Sequence, residues 1–195
     1  TFNKESSATV VQANGERIEQ LINEGTSFIQ YFGHSSANTF AFNLNSPENY
    51  TNLGKYSFFN VSGCSAGNNF TFDPTRLNGN TSLSEKWVLA DQRGSIGFLA
   101  STHLGIPPFL NFYNSKLYEA FSRTLYGNTI GNQIKYVIQS LGGNPQSLDY
   151  YTRIHLEELN LNGDPAIKIN SFALPDYAIE DQLIRISPSI VSVAD

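Results

Sequence analysis

The chain reads as an α/β domain, a mostly parallel sheet with helices on both faces, followed by a short β-rich tail. Two observations predict the domain and a third predicts the tail. Strand-like and helix-like segments alternate along roughly the first 170 residues. The strand-like segments are apolar along their whole length, as expected of parallel strands buried on both faces. After Leu174-Pro175-Asp176 the texture changes: "IEDQLIRISPSIVSV" alternates polar and apolar residues with no helix signal.

Taken in order, "ERIEQLINE" (16–24) places Ile18, Leu21 and Ile22 at helical spacing and stops at Gly25. "SFIQYFG" (27–33) is an aromatic, apolar run closed by glycine, hence a strand, and His34 stands just beyond it. "YSFFNVSG" (56–63) repeats the design with Cys64 just beyond. "SLSEKWVLAD" (82–91) opens with Ser and Glu near capping-box spacing and predicts a helix that carries Trp87, a core or pocket-wall aromatic. "GSIGFLAST" (94–102) is a third strand. Helices are expected over 109–125, over 130–141 with a stop at Gly142-Gly143, and over 149–159. "GDPAIKIN" (163–170) predicts a turn at Asp164 and a fourth strand. The expected domain division is 1–172 for the α/β domain and 173–195 for a linker and the opening strands of a β-sandwich.

Composition narrows the partners. A 195-residue chain that is 40% hydrophobic and 13% aromatic can bury one sizeable core. The net charge of -5, with 12 Lys plus Arg, speaks against nucleic acid, which needs clustered positive charge. No apolar run approaches the roughly 18 residues of a membrane helix. One cysteine excludes an internal disulfide framework, and with three His residues at no ligand spacing it offers no metal site. No phosphate-cradling glycine loop is present, so no cofactor is expected. A start at Thr1 and the lack of any Met suggest a piece of a longer chain.

The chemistry centres on "VSGCSAGN" (61–68). Gly63-x-Ser65-x-Gly67 spells a serine nucleophile elbow. An elbow serine turns directly into a helix, whereas "NNFTFDPTRLNGN" follows here. The cysteine reading fits the placement better. His34 and Cys64 each leave the end of a strand, 30 residues apart. If those strands are neighbours, the two side chains meet over one crevice at their carboxyl ends. An imidazole could then take the thiol proton while the thiolate attacks a carbonyl. The small residues around Cys64 leave room for a substrate backbone, with backbone N–H groups free for an oxyanion. His103, just past the third strand, is an alternative partner for Cys64. His155, among Arg153, Glu157 and Glu158, reads as a solvated helix residue.

These segments together resemble the gingipain-like cysteine peptidases, which share the caspase fold. The resemblance runs from about Gly15 to Asn170 and rests on "NEGTSFIQYFGHSS", "FFNVSGCSAGNNF", "WVLADQRGSIGFLAST" and "LNLNGDPAIKIN", in order and at family-like intervals. It implies a three-layer caspase-like domain, N-terminally truncated, in which Cys64 is the nucleophile and His34 the general acid/base. It implies an oxyanion hole from the backbone N–H groups of Ser35 and Cys64, and a pocket lined by His103, Leu104 and Ile106. The substrate would be a polypeptide and the setting a bacterial surface or secreted protein.

Three departures stand out. Ser35 replaces the family's usual Gly after the His. The interval from Gly67 to Phe70 differs from the family's by one residue. Two strands and a helix expected earlier in the sheet, with the acidic residue that orients the His, have no counterpart here. Strand 27–33 would therefore offer a bare edge, to be covered by Thr1–Asn14, by another chain or by the missing half. The rival readings are a caspase-like module with a binding role, and a Ser65 hydrolase.

Overall fold

The sheet is organised around its second strand. The computed structural model describes residues 13–41, 44, 46–70, 81–143, 148–170, 172–175, 184–187 and 190–193. The elements in chain order are α1 (Ala13–Glu24), β1 (Phe28–Phe32), β2 (Ser57–Ser62), α2 (Leu83–Val88) and β3 (Ser95–Ser101). They continue with α3 (Pro107–Glu119), α4 (Ile130–Gly142), α5 (Tyr150–Glu157), β4 (Leu159–Gly163), β5 (Ile184–Ser187) and β6 (Ile190–Val193). Four strands form one sheet in the order β1-β2-β3-β4, and β5 and β6 form a separate antiparallel pair. β1, β2 and β3 run parallel, and β4 is antiparallel to β3.

All six residues of β2 are buried, which is why its sequence is apolar and aromatic on both faces. The alternation of side chains splits the core in two. On one face Phe59, Val61, Phe98 and Ala100 pack with Ile22 of α1 and Trp87 of α2. On the other, Phe58 and Leu99 pack with Tyr113 and Leu117 of α3 and Ile130 and Val137 of α4. Helices therefore cover both faces, as the sequence predicts. Trp87, 1% exposed, sits with its ring centroid 4.5 Å from that of Phe59.

Helix boundaries follow local chemistry. Ser82 caps α2 in a full capping box with Glu85, the device visible in "SLSE". α4 ends at Gly143, whose φ of 43° lies in the left-handed region. α3 begins earlier than expected because Pro107 and Pro108 occupy its first turn, where a missing N–H costs nothing. The expected single helix 109–125 is instead α3 followed by a π-helical turn over Ala120–Thr124.

The fourth strand is a correction. It lies at Leu159–Gly163, before the Asp164 turn, and pairs with β3. "PAIKIN" forms no strand: Asp164 Oδ1 accepts the Ala166 N–H at 2.8 Å, and the Ile167 carbonyl accepts the Ile130 N–H at 2.8 Å, starting α4. Ile167 and Ile169 still reach the α3/α4 core, so their apolar alternation marks burial without a ladder. β1 is one edge of the sheet. Of Thr1–Asn14, expected to cover it where another chain does not, residues 1–12 lie outside the described residues, and Ala13 and Asn14 begin α1. Among the described residues no helix is long and apolar enough to cross a membrane.

Candidate active site

The parallel register sets the geometry. Phe32 of β1 pairs with Ser62 of β2, and the Gly33 N–H continues the ladder to the Ser62 carbonyl at 3.1 Å. The offset of 30 residues in that register equals the separation of His34 from Cys64. Both residues therefore leave neighbouring strands at the same step beyond the last paired position, at strand spacing of about 4.8 Å. Cys64 is half-buried and free; His34 is exposed. No hydrogen bond joins their side chains.

The two loops are fastened to each other and to the sheet. Ser35 Oγ donates to the Cys64 carbonyl at 2.8 Å. The His34 carbonyl accepts from Tyr31 Oη at 2.5 Å and from the Ala41 N–H at 2.9 Å, so the chain folds back under His34. Gly63 allows the approach: a Cβ there would stand 2.7 Å from the Gly33 carbonyl and inside the Ser35 side chain. Behind the Cys64 turn, the Gly67 N–H donates to the Ser101 carbonyl at 2.9 Å, and a Cβ on Gly67 would meet the Ala100 carbonyl at 2.5 Å.

The N–H groups around Cys64 divide into used and unused. Ser65 N–H is committed to the His103 carbonyl at 2.7 Å, and Asn68 N–H to the Ser65 carbonyl at 3.0 Å. The backbone N–H groups of Ser35 and Cys64 have no acceptor among the described residues. Two orphan donors beside a thiol are what a developing oxyanion requires.

The third loop, between β3 and α3, meets the Cys64 turn through its backbone. His103 gives its carbonyl to Ser65; its imidazole is exposed and makes no hydrogen bond to Cys64. Leu104 is 61% exposed, and Ile106 is half-buried at the N-cap of α3. Of the predicted site residues, His34, Ser35 and Cys64 come together at adjacent strand ends, and the 103–106 loop abuts them by way of Ser65 and Gly63.

Ser65 adopts a φ of 56°, uncommon for a residue with a side chain and a conformation an elbow serine also uses. The residues after it do not enter a helix, however: 66–70 are turn and coil, and the loop is tied to β4 where Asn69 Nδ2 donates to Asn162 Oδ1 at 2.9 Å.

Two features escaped the sequence reading. His155 is not solvated: it is 2% exposed, with Nε2 3.6 Å from Oε1 of Glu158, itself 7% exposed. Their i, i+3 spacing on one helix face was the available signal. The second is a buried amide cluster under the strand ends. Asn60 Nδ2 donates to Gln30 Oε1 at 2.6 Å and to Asn114 Oδ1 at 2.9 Å, and Asn114 Nδ2 donates to Ser62 Oγ at 2.7 Å. Gln30 and Asn60 are register partners, so the cluster ties α3 to β1 and β2 just below His34 and Cys64.

Comparison with known proteins follows the same lines. Residues 1–170 match the model of peptidase family C25. No curated protein matches the chain. Solved structures of similar fold include one described as the structure of a protease, at 14% identity and a TM-score of 0.63, covering 85% of this chain and 42% of that one. A complex of the pro- and mature domains of Porphyromonas gingivalis RgpB matches at 17% identity and 0.61, covering 78% and 36%. The Arg-specific cysteine proteinase gingipain R matches at 18% identity and 0.60, covering 78% and 35%. The chain thus spans less than half the length of each, and the shared architecture is consistent with a caspase-like fold. With the family model extending over the entire four-stranded α/β unit, from its first helix to the turn after its last strand, the chain belongs to peptidase family C25.

Proposed function

We propose that the protein is a gingipain-type cysteine endopeptidase in which Cys64 is the nucleophile and His34 the general acid/base. The observation that carries this reading is the parallel register, which gives His34 and Cys64 equal steps past adjacent strand ends. His34 takes the proton of the Cys64 thiol, and the thiolate adds to the scissile carbonyl carbon. The oxyanion is met by the N–H groups of Ser35 and Cys64. Collapse breaks the C–N bond and the leaving amine takes the proton from His34. Water, deprotonated by His34, then adds to the thioester, and Cys64 departs as thiolate to release the acid. His103, Leu104 and Ile106 line the pocket for the substrate side chain.

Residues 1–172 are assigned to the C-terminal part of a caspase-like peptidase domain, and 173–195 to a linker and the start of a β-sandwich. The β5–β6 hairpin supports the second assignment. The resemblance to the family supports reading the chain as a secreted or surface protein of a bacterium.

A second reading, a caspase-like module with a binding role, draws on the exposure of His34 and the absence of a hydrogen bond between it and Cys64. Labelling separates the two. A peptidyl electrophile directed at thiols should label Cys64 rapidly in the wild type and much more slowly in His34→Ala. Equal, sluggish labelling of both would favour the binding module. Peptide hydrolysis surviving Cys64→Ala but lost in Ser65→Ala would favour a serine enzyme instead.

A further inference from the structure

α5 and its C-cap residue bury two titratable side chains for which the proposed reaction has no use, His155 and Glu158. The hydrogen bonds of His155 define its state. Nδ1 lies 2.7 Å from the Tyr151 carbonyl, an acceptor only, so Nδ1 carries the proton. Nε2 is then a lone pair, and it receives the Ile106 backbone N–H at 2.8 Å. The ring also lies over Phe109 in the first turn of α3, with centroids 5.1 Å apart and planes inclined by 27°.

Ile106 is the N-cap of α3 and has no side-chain hydroxyl or carboxylate to offer. Its own half-buried N–H would lose its acceptor if His155 were absent. The imidazole thus fixes one end of the 102–106 loop. The other end is held by the Thr102 N–H on the Glu158 carbonyl at 2.9 Å, and by Ser101 Oγ on the His103 carbonyl at 2.9 Å. From its middle the loop reaches the Cys64 turn. The His103 carbonyl takes the Ser65 N–H at 2.7 Å, and a Cβ on Gly105 would stand 3.0 Å from the Gly63 carbonyl.

We propose that His155 is a positioning residue for the Cys64 turn. Its neutral imidazole seats the 102–106 loop through Ile106, and the loop sets the backbone on both sides of Cys64 through Ser65 and Gly63. The role rests on Cys64 being the nucleophile of the proposed reaction. Glu158 is consistent with the neutral state: its carboxylate oxygens have no hydrogen-bond partner among the described residues, and burial raises its pKa. A protonated Glu158 leaves Nε2 free for Ile106.

Two substitutions test the role. His155→Phe keeps the ring over Phe109 and removes the acceptor; His155→Gln restores a carbonyl oxygen near the Nε2 position. Hydrogen exchange of segments 101–106 and 63–67 is the first readout. It should quicken in His155→Phe and stay near wild type in His155→Gln. The second readout is labelling of Cys64. A peptidyl ketone, whose adduct needs the oxyanion site, should react about 10- to 100-fold more slowly with His155→Phe, the rate equivalent of one unmatched buried donor. Iodoacetamide, whose reaction builds no oxyanion, should be affected far less.

Wild-type exchange in His155→Phe, or quickened exchange in His155→Gln, would overturn the proposal, as would equal slowing with both reagents. If His155→Phe does not fold, His155→Gln alone decides, since it must keep wild-type exchange and reactivity. A wild type that never reacts with the ketone would refute the peptidase reading, and the exchange comparison would still judge His155.

Discussion

Ser35 Oγ donates to the carbonyl of Cys64 at 2.8 Å, joining the loop after β1 to the loop after β2 at the point where the two orphan N–H groups lie. The family pattern puts glycine at this position. Here a side chain occupies the space against Gly63 and makes a hydrogen bond that glycine could not make. Ser35→Ala should cost about 1 kcal/mol, the net worth of a partly buried hydrogen bond. It should also slow Cys64 labelling severalfold because the Cys64 carbonyl is released. Urea unfolding and a labelling time course check the two effects. If stability falls but labelling does not, Ser35 is a structural clamp only.

Gly63 should tolerate no side chain. Its added Cβ meets a flexible group, Ser35, and a fixed one, the Gly33 carbonyl at 2.7 Å. Gly63→Ala should destabilise by about 1–3 kcal/mol, as overpacking does. The double variant Gly63→Ala/Ser35→Gly removes the flexible obstacle and leaves the backbone one. It should recover only part of the loss, measured as the midpoint of chemical unfolding. Full recovery would show that the Ser35 side chain was the whole obstacle.

The amide cluster of Gln30, Asn60, Ser62 and Asn114 is centred on Asn60 and Ser62 of β2, the most buried strand of the sheet. Asn114→Leu leaves an Asn60 N–H and the Ser62 hydroxyl without their α3 partner. A loss of about 1–3 kcal/mol per unmatched buried group is expected. Asn60→Leu should cost at least as much, because Asn60 serves both Gln30 and Asn114. Thermal unfolding checks both. Because the cluster lies beneath His34 and Cys64, peptidyl labelling of folded variants should also slow. A cluster that only supports stability would leave it unchanged.

Much of this arrangement was legible in the sequence, for physical reasons. Strands buried on both faces must be apolar throughout, and "SFFNV" and "SIGFLAS" could be read on that ground. A parallel sheet gathers its strand ends, so His34 and Cys64 announced themselves by standing just past two such runs. The capping box of α2 was equally local. The misreadings were tertiary. "LNLNG" is an edge strand whose Leu159 and Leu161 face one core while asparagines alternate with them, and it is too short to outweigh the helix before it. His155 lies between Arg153 and Glu157, which form an exposed ion pair with each other, so its neighbours in sequence hid the opposite, buried face of α5. The amides of Asn60 and Asn114 become partners only once α3 is laid across β2.

Glu158 should impose a pH dependence on stability, with a sign fixed by burial. Its pKa is raised from 4.5, first by desolvation; His155, the Ser101 hydroxyl and His103 pull the other way and do not prevail. Ser101 directs its proton to the His103 carbonyl, and neither carboxylate oxygen has a hydrogen-bond partner among the described residues, so the pull of Ser101 is too weak to offset burial. Below 4.5 the group is neutral in folded and unfolded chains alike and exacts no penalty. As pH rises, the unfolded chain ionises first, and the folded state loses stability until the pH passes the raised folded pKa. Glu158→Gln is neutral throughout and removes this dependence. The difference in unfolding free energy between Glu158→Gln and wild type should therefore grow in the variant's favour as pH rises above 4.5, and level off only once the raised folded pKa is passed. Denaturant unfolding at several pH values measures it. A difference that is flat, or that shrinks with rising pH, would mean that burial does not hold Glu158 neutral in the fold.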